Sequence, residues 1–166
     1  MTPPTVEESY EQIRARGIHV AREILSEQGI VFREAATAEE AADITENEVE
    51  RFRAEENFQA SAAALLQTHK FIDESRAREV AAILCQGGDG FFYDDYDCEG
   101  ALQTFQLAAA LAPQDHASIR GVITVCLQGD GDRRLDVALP YAVISAHLGA
   151  RNDLNYVLKL IHEENV

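Results

Sequence analysis

Between Gly87 and Asp97 the chain reads Gly-Gly-Asp-Gly-Phe-Phe-Tyr-Asp-Asp-Tyr-Asp, crowding carboxylates and aromatic rings into one short stretch. Carboxylates at close spacing can hold a hard cation. Asp95, Asp97, Glu99, Gly100 and Leu102 take the first, third, fifth, sixth and eighth positions of a calcium loop, but the twelfth is Gln106. An amide there cannot supply the bidentate carboxylate that such a loop needs. The other Gly-Asp stretch, Gly129–Arg134, does not repeat the spacing. The five histidines, His19, His69, His116, His147 and His162, are scattered without a third ligand at zinc spacing. No serine or cysteine stands in a nucleophile motif, and there is no glycine-rich phosphate loop. Cys98 falls at a helix start, where a thiolate would be favoured, but Asp94, Asp95, Asp97 and Glu99 oppose it. No catalytic residue, metal or cofactor is therefore expected. Recognition is the chemistry that fits. If exposed, Phe91, Phe92 and Tyr93, with Asp94 and Asp95 beside them, would anchor a partner; if folded back, the same rings would complete the core.

The elements that carry this stretch are expected to be helices. A first runs about Val6–Gln28 and is stopped by Gly29. A second region covers Thr37–Lys70, with a break near Thr45. A third begins at Asp73 or Ser75 and ends at Gln86, because Gly87, Gly88 and Gly90 argue against regular helix over Gly87–Asp95. A fourth runs from near Asp97 to before Pro113, and a fifth from Asp115 to Gly129. The sixth starts near Asp136, with Pro140 tolerable in the first turn, and ends at Gly149. Asn152 or Asp153 caps the last, Leu154–Glu164. About seven helices with short loops and no strand give an all-α fold whose neighbours pack antiparallel. Residues 1–5 read as a flexible tail, and 6–166 as one domain. Within it lie N-terminal helices over 6–70, two repeat-like hairpin units over 71–150 and a closing helix over 151–166.

Two stretches of the chain resemble one another. Residues 80–112 and 121–149 each place an apolar helix, a Gly-Asp-Gly turn and an alanine-rich helix in that order. Cys85 pairs with Cys126, Gly88 with Gly129, Ala101 with Ala138 and Ala109 with Ala146, with one insertion near Tyr93-Asp94-Asp95-Tyr96. Small residues at Ala101, Ala108, Ala109, Ala138, Ser145 and Ala146 let two helices approach, while Phe105 or Tyr141 fills the groove between hairpins.

These residues resemble Sel1-like repeats, relatives of tetratricopeptide repeats. In residues 126–149 the matching positions are Cys126, Gly129, Gly131, Ala138, Tyr141, Ser145, Ala146 and Gly149. In residues 85–112 they are Cys85, Gly88, Gly90, Ala101, Phe105, Ala108 and Ala109, with Ala112 in place of the terminal glycine. The Leu-Gly pair of the motif is replaced by Ala81-Ala82 and Val122-Ile123. The resemblance spans roughly residues 77–150. It implies an α-solenoid of stacked antiparallel hairpins whose first helices line an inner, partner-holding face. Counted from Cys85 and Cys126, that face would carry Arg76, Glu79, Arg120, Thr124 and Gln128. In general shape and charge the chain is also similar to the tetratricopeptide chaperones of bacterial type III secretion.

With 166 residues and 46% hydrophobic content, the chain can build one sizeable core. Its formal net charge is −15. Nucleic acid and anionic membrane are disfavoured as partners, because phosphates need a Lys/Arg surface. A basic protein or peptide, with apolar anchors, is the natural electrostatic complement. No apolar run reaches the about 20 residues that span a bilayer. The N-terminal stretch lacks a basic region followed by an apolar one, so no signal peptide is expected. Cys85, Cys98 and Cys126 form neither an even framework nor a CxxC pair and read as thiols in a reducing cytoplasm. The expected function is a non-enzymatic adaptor or chaperone of the bacterial cytoplasm. The alternatives are an immunity protein whose acidic surface blocks a basic toxin, and an enzyme with an unrecognised site.

Overall fold

The structure, a computed structural model, describes residues 2–53, 58–129 and 133–164. Among the described residues every regular element is helical: α1 (Val6–Glu27), α2 (Ala38–Arg53), α3 (Phe58–Leu65), α4 (Glu74–Asp89), α5 (Cys98–Leu111), α6 (His116–Gln128), α7 (Leu135–His147) and α8 (Arg151–Glu164). A 3-10 turn over Leu66–Thr68 follows α3, and a π turn over Gly90–Asp94 follows α4. The expectation of an all-α fold of about seven helices holds, with eight among the described residues. No helix is long and apolar enough to cross a membrane among these residues.

Local chemistry sets most helix ends. Thr5 caps α1 through a capping box: its hydroxyl accepts from the Glu8 N–H at 3.2 Å, and the Glu8 carboxylate accepts from the Thr5 N–H at 3.1 Å. Those hydrogen bonds also lower the Glu8 pKa. The expected tail is thus tied down at Thr5. Gly29, at φ 74°, turns the chain out of α1 in a backbone state that other residues avoid. At the start of α2 the Thr37 hydroxyl accepts from the Glu40 N–H at 3.2 Å, and the Glu40 carboxylate accepts from the Ala36 N–H at 3.0 Å. Gly149, at φ 106°, follows α7.

The linker from α1 to α2 is fastened to the 3-10 turn. The Ala35 N–H donates to the Gln67 carbonyl at 2.9 Å, and Glu34 pairs with His69 at 2.8 Å and Lys70 at 3.4 Å. The His69 hydrogen bond, helped by the two charges, holds the Glu34 carboxyl below its ordinary 4.5. A depressed carboxyl strengthens the tie above that pH and releases it as the pH falls further.

Four expectations change at this level. No break occurs at Thr45: it lies inside α2, where its hydroxyl donates to the Ala41 carbonyl at 2.7 Å instead of capping a new turn. Asn152 and Asp153 do not cap α8, which already starts at Arg151. Pro140 sits beyond the first turn of α7, which begins at Leu135. The glycines after Gln86 do not end the third helical segment; α4 runs through Gly87 and Gly88 to Asp89.

Packing explains that last change. α5 is buried around most of its circumference and meets α1, α3, α4 and α6. Phe105, on α5, lies against Gly88 of α4 and Gly121 of α6. A Cβ added at Gly88 would come 2.8 Å from the Phe105 ring, and one at Gly121 would come 2.3 Å from it. Both glycines are there for close approach. α1 crosses α3, α5 and α7 and comes so near α5 that a Cβ on Gly17 would meet the Ala110 Cβ at 2.2 Å. The short connections make α4–α5 and α6–α7 antiparallel hairpins, and α4 and α6 lie side by side. α8 packs on α7.

The small contact positions are sealed, with one exception. Ala101, Ala108, Ala109, Ala138 and Ser145 are fully buried, whereas Ala146 is only half-buried and Ala142 takes the sealed place on α7. Gly121→Ala should therefore destabilise by about 1–3 kcal/mol through overpacking. Combining it with Phe105→Leu should cost less than the two changes summed, because the same ring takes both penalties. Urea unfolding of the four proteins in that cycle measures the coupling, and strict additivity would show that Gly121 does not serve the ring.

Candidate functional site

The acidic-aromatic stretch becomes a compact knob at the end of α4. Its form follows from Gly88. With α4 held against Phe105, the helix continues to Asp89 and then widens into the π turn. The Asp95 N–H donates to the Gly90 carbonyl at 3.1 Å, and the Asp97 N–H to the Phe91 carbonyl at 2.8 Å. The Asp97 carboxylate then accepts from the Gly100 N–H at 2.9 Å and caps α5. A Cβ on Gly100 would strike that carboxylate at 2.4 Å. Tyr96, between turn and cap, takes a left-handed φ of 56°.

This backbone divides the aromatic rings. Phe91 and Phe92 are half-buried and pack against the core. Tyr93 is 59% exposed and Tyr96 78% exposed. Tyr93 stands edge-on to Phe92, ring centres 5.0 Å apart, so a packed ring supports an exposed one. Of the two readings open for the trio, Phe91 and Phe92 take the folded-back one and build the base, while Tyr93, joined by Tyr96, is at the surface. Asp89, Asp94, Asp95, Asp97 and Glu99 are all exposed around them. Arg134, at the start of α7, reaches this side and pairs with Glu99 at 3.0 Å.

The residues expected on an inner face are spread over two helices. On α4, Arg76 is half-buried and Glu79 exposed; on α6, Arg120 and Gln128 are exposed and Thr124 half-buried. Arg76 lines a trough toward α2. Arg120 turns to α8 and meets the Asp153 carboxylate at 3.6 Å. Gly131, expected in the second turn, lies outside the described residues.

A polar joint escaped the sequence reading. Ser145 of α7 is fully buried; its hydroxyl donates to Asp153 of α8 at 2.8 Å and lies 3.0 Å from His116 Nε2 of α6. Serine, histidine and aspartate together suggest nucleophilic catalysis, but the order is wrong for it. The serine hydroxyl donates straight to the carboxylate, whereas that chemistry needs the histidine between them, with the carboxylate on its other ring nitrogen. The cluster ties three helices together. A second joint links α4 to α6: Cys85 Sγ lies 3.3 Å from the Ser118 hydroxyl, which donates to Asp115 at 2.9 Å. The signal for both was a serine at a packing position with an aspartate at a helix start, which reads equally well as a cap.

Burial pushes the Cys126 thiol up to about 12. Cys85 is raised by burial as well, against the lowering effect of its Ser118 hydrogen bond. Cys98 is half-buried at the start of α5, and none of the three cysteines is in a disulfide. Among the described residues, no group of three or more metal-ligating side chains could hold an ion. Compared with family models, with curated proteins and with solved structures, the chain matches none.

Because the thiolate is the reacting form, an aromatic disulfide reagent near neutral pH should modify Cys98 first in the native protein. Cys85 and Cys126 should react only on unfolding, as peptide mapping after a timed quench would show. Rapid modification of Cys126 in the folded protein would contradict its burial.

Proposed function

We propose that this protein is a non-enzymatic protein–protein interaction module, an adaptor or chaperone of the cytoplasm, whose partner has a basic surface with apolar sockets. One observation carries this: Tyr93 and Tyr96 project from a backbone fixed on both sides, amid five exposed carboxylates. Aromatic rings held in place lose little freedom on binding and make strong anchors. The surrounding charge attracts a basic surface and hastens encounter. The net charge of −15 acts in the same sense over the whole molecule. The resemblance of residues 77–150 to Sel1-like and tetratricopeptide repeats supports a partner-binding scaffold, with a secretion chaperone as the narrower form.

A second reading is favoured by the rigidity of the knob itself. A preformed acidic-aromatic surface suits a folded basic domain, as an immunity protein meets its toxin. A chaperone would instead hold a short unfolded segment of its client.

The test is affinity capture from the source cell, followed by binding kinetics with the captured partner. Raising salt should slow association more than it speeds release. Tyr93→Ala with Tyr96→Ala should cost about 2 kcal/mol or more in binding, mainly as faster release, as expected of anchor residues. Helicity should be unchanged, because neither ring is in the core. If the double variant binds as the parent does, the knob is not the anchor. Retained binding by an isolated, unfolded fragment of the partner identifies a chaperone; binding only by the folded domain identifies an inhibitor.

A further inference from the structure

Among the described residues, α4 packs on α5, with α6 along one flank and a smaller contact to α3. α2 packs on α3 and the 3-10 turn and makes no comparable contact with α4. A trough of about 260 Å³ remains between α2 and the start of α4. Its floor is apolar: Ala38, Ala41 and Ala42 from α2, with Phe71 and Ile72 from the approach to α4. Phe71 is 42% exposed, a large ring left facing solvent. Its rim is acidic. Glu46 and Asp73 line it, and Glu39 and Asp43 follow on the solvent side of α2 by helical spacing. All four carboxylates are exposed, and among the described residues none is held in an ion pair. Among the described residues, the guanidinium that lines the trough with them is that of Arg76.

We propose that this trough is a docking surface separate from the knob, and that it takes a basic amphipathic helix of the partner. The proposal rests on the interaction-module reading. Charge complementarity selects the occupant: Lys and Arg flanking an apolar stripe would meet the exposed carboxylates while the stripe covers Phe71. The volume suits one or two inserted apolar side chains, with the helix itself lying along the groove. Small residues on the α2 wall let that helix come close, as glycines do where α5 meets its neighbours. An acidic or purely polar segment would leave the floor wet and the rim repelled.

The test uses the full chain and a fluorescent model peptide of Leu and Lys arranged at helical period, read by anisotropy. A peptide of the same composition with the period scrambled is the control, and Leu and Glu at the same period is a second. The periodic basic peptide should bind about tenfold or more tightly than either control, a difference of about 1.4 kcal/mol. Ala42→Arg, at an exposed position, should fill the trough and weaken binding by a similar factor with helicity intact. Glu46→Lys should weaken it through charge alone, most clearly at low salt. Tyr93→Ala with Tyr96→Ala should leave this binding unchanged.

Equal binding of the scrambled peptide, or no effect of Ala42→Arg, overturns the proposal. Loss of binding in the tyrosine variant with retention in Ala42→Arg assigns the peptide to the knob; the trough then fails while the interaction-module reading stands. Sedimentation of the protein alone completes the set: a dimer that Ala42→Arg abolishes makes a second copy the occupant and overturns the proposal as well.

Discussion

The Phe105 ring, gripped between Gly88 and Gly121, is the contact on which the rest of the structure depends. It joins three consecutive helices at one point, and it works only because two of them present bare backbone. Once α4 and α6 close on that ring, α5 is buried on most sides, and α1 can lie across it through the equally close Gly17–Ala110 approach. Dispersion and burial at such short range are strong per contact and intolerant of added atoms. The same contact decides the form of the knob. α4 cannot turn at Gly88 without losing the ring, so the chain turns later, over Gly90–Asp94, and two aromatic side chains fall back on the core.

Between hairpins, polar joints add direction to an otherwise apolar interior. Ser118 and Ser145 are buried and hydrogen-bonded, each linking a helix to its neighbours. A buried hydroxyl with its partners in place costs little, whereas a slipped packing register would leave it unpaired at a cost of about 1–3 kcal/mol. Alanine contacts alone would tolerate such a slip more easily. The joints therefore fix how α4, α6, α7 and α8 sit relative to one another, and with that the spacing of the surfaces they carry.

Charge is placed mainly where it stays solvated. Exposed carboxylates surround Tyr93 and Tyr96 and run along the first turns of α2, while the neighbouring floors are apolar. Such pairing of long-range attraction with short-range apolar contact suits recognition: the first sets the rate of encounter and the second the lifetime of the complex.

Several features were legible in the sequence because neighbouring residues alone decide them. The all-α class follows from periodicity, the ends of α1 and α7 from Gly29 and Gly149, the start of α5 from Asp97, and the filling roles of Phe105 and Tyr141 from their size and place among alanines. Other residues have more than one use, and tertiary structure chose between them. Glycine allows a turn and also a close approach; Gly88 serves the second because an aromatic ring from α5 arrives there. Aspartate caps a helix and also bonds a distant hydroxyl; Asp153 does the latter because Ser145 is buried beside it. Thr45 could start a helix, but inside α2 its hydroxyl finds the Ala41 carbonyl. Phe91 and Phe92 on one side, and Tyr93 and Tyr96 on the other, differ little in sequence context. Only the π turn, imposed from the far side of α4, decided which rings were buried and which were left exposed.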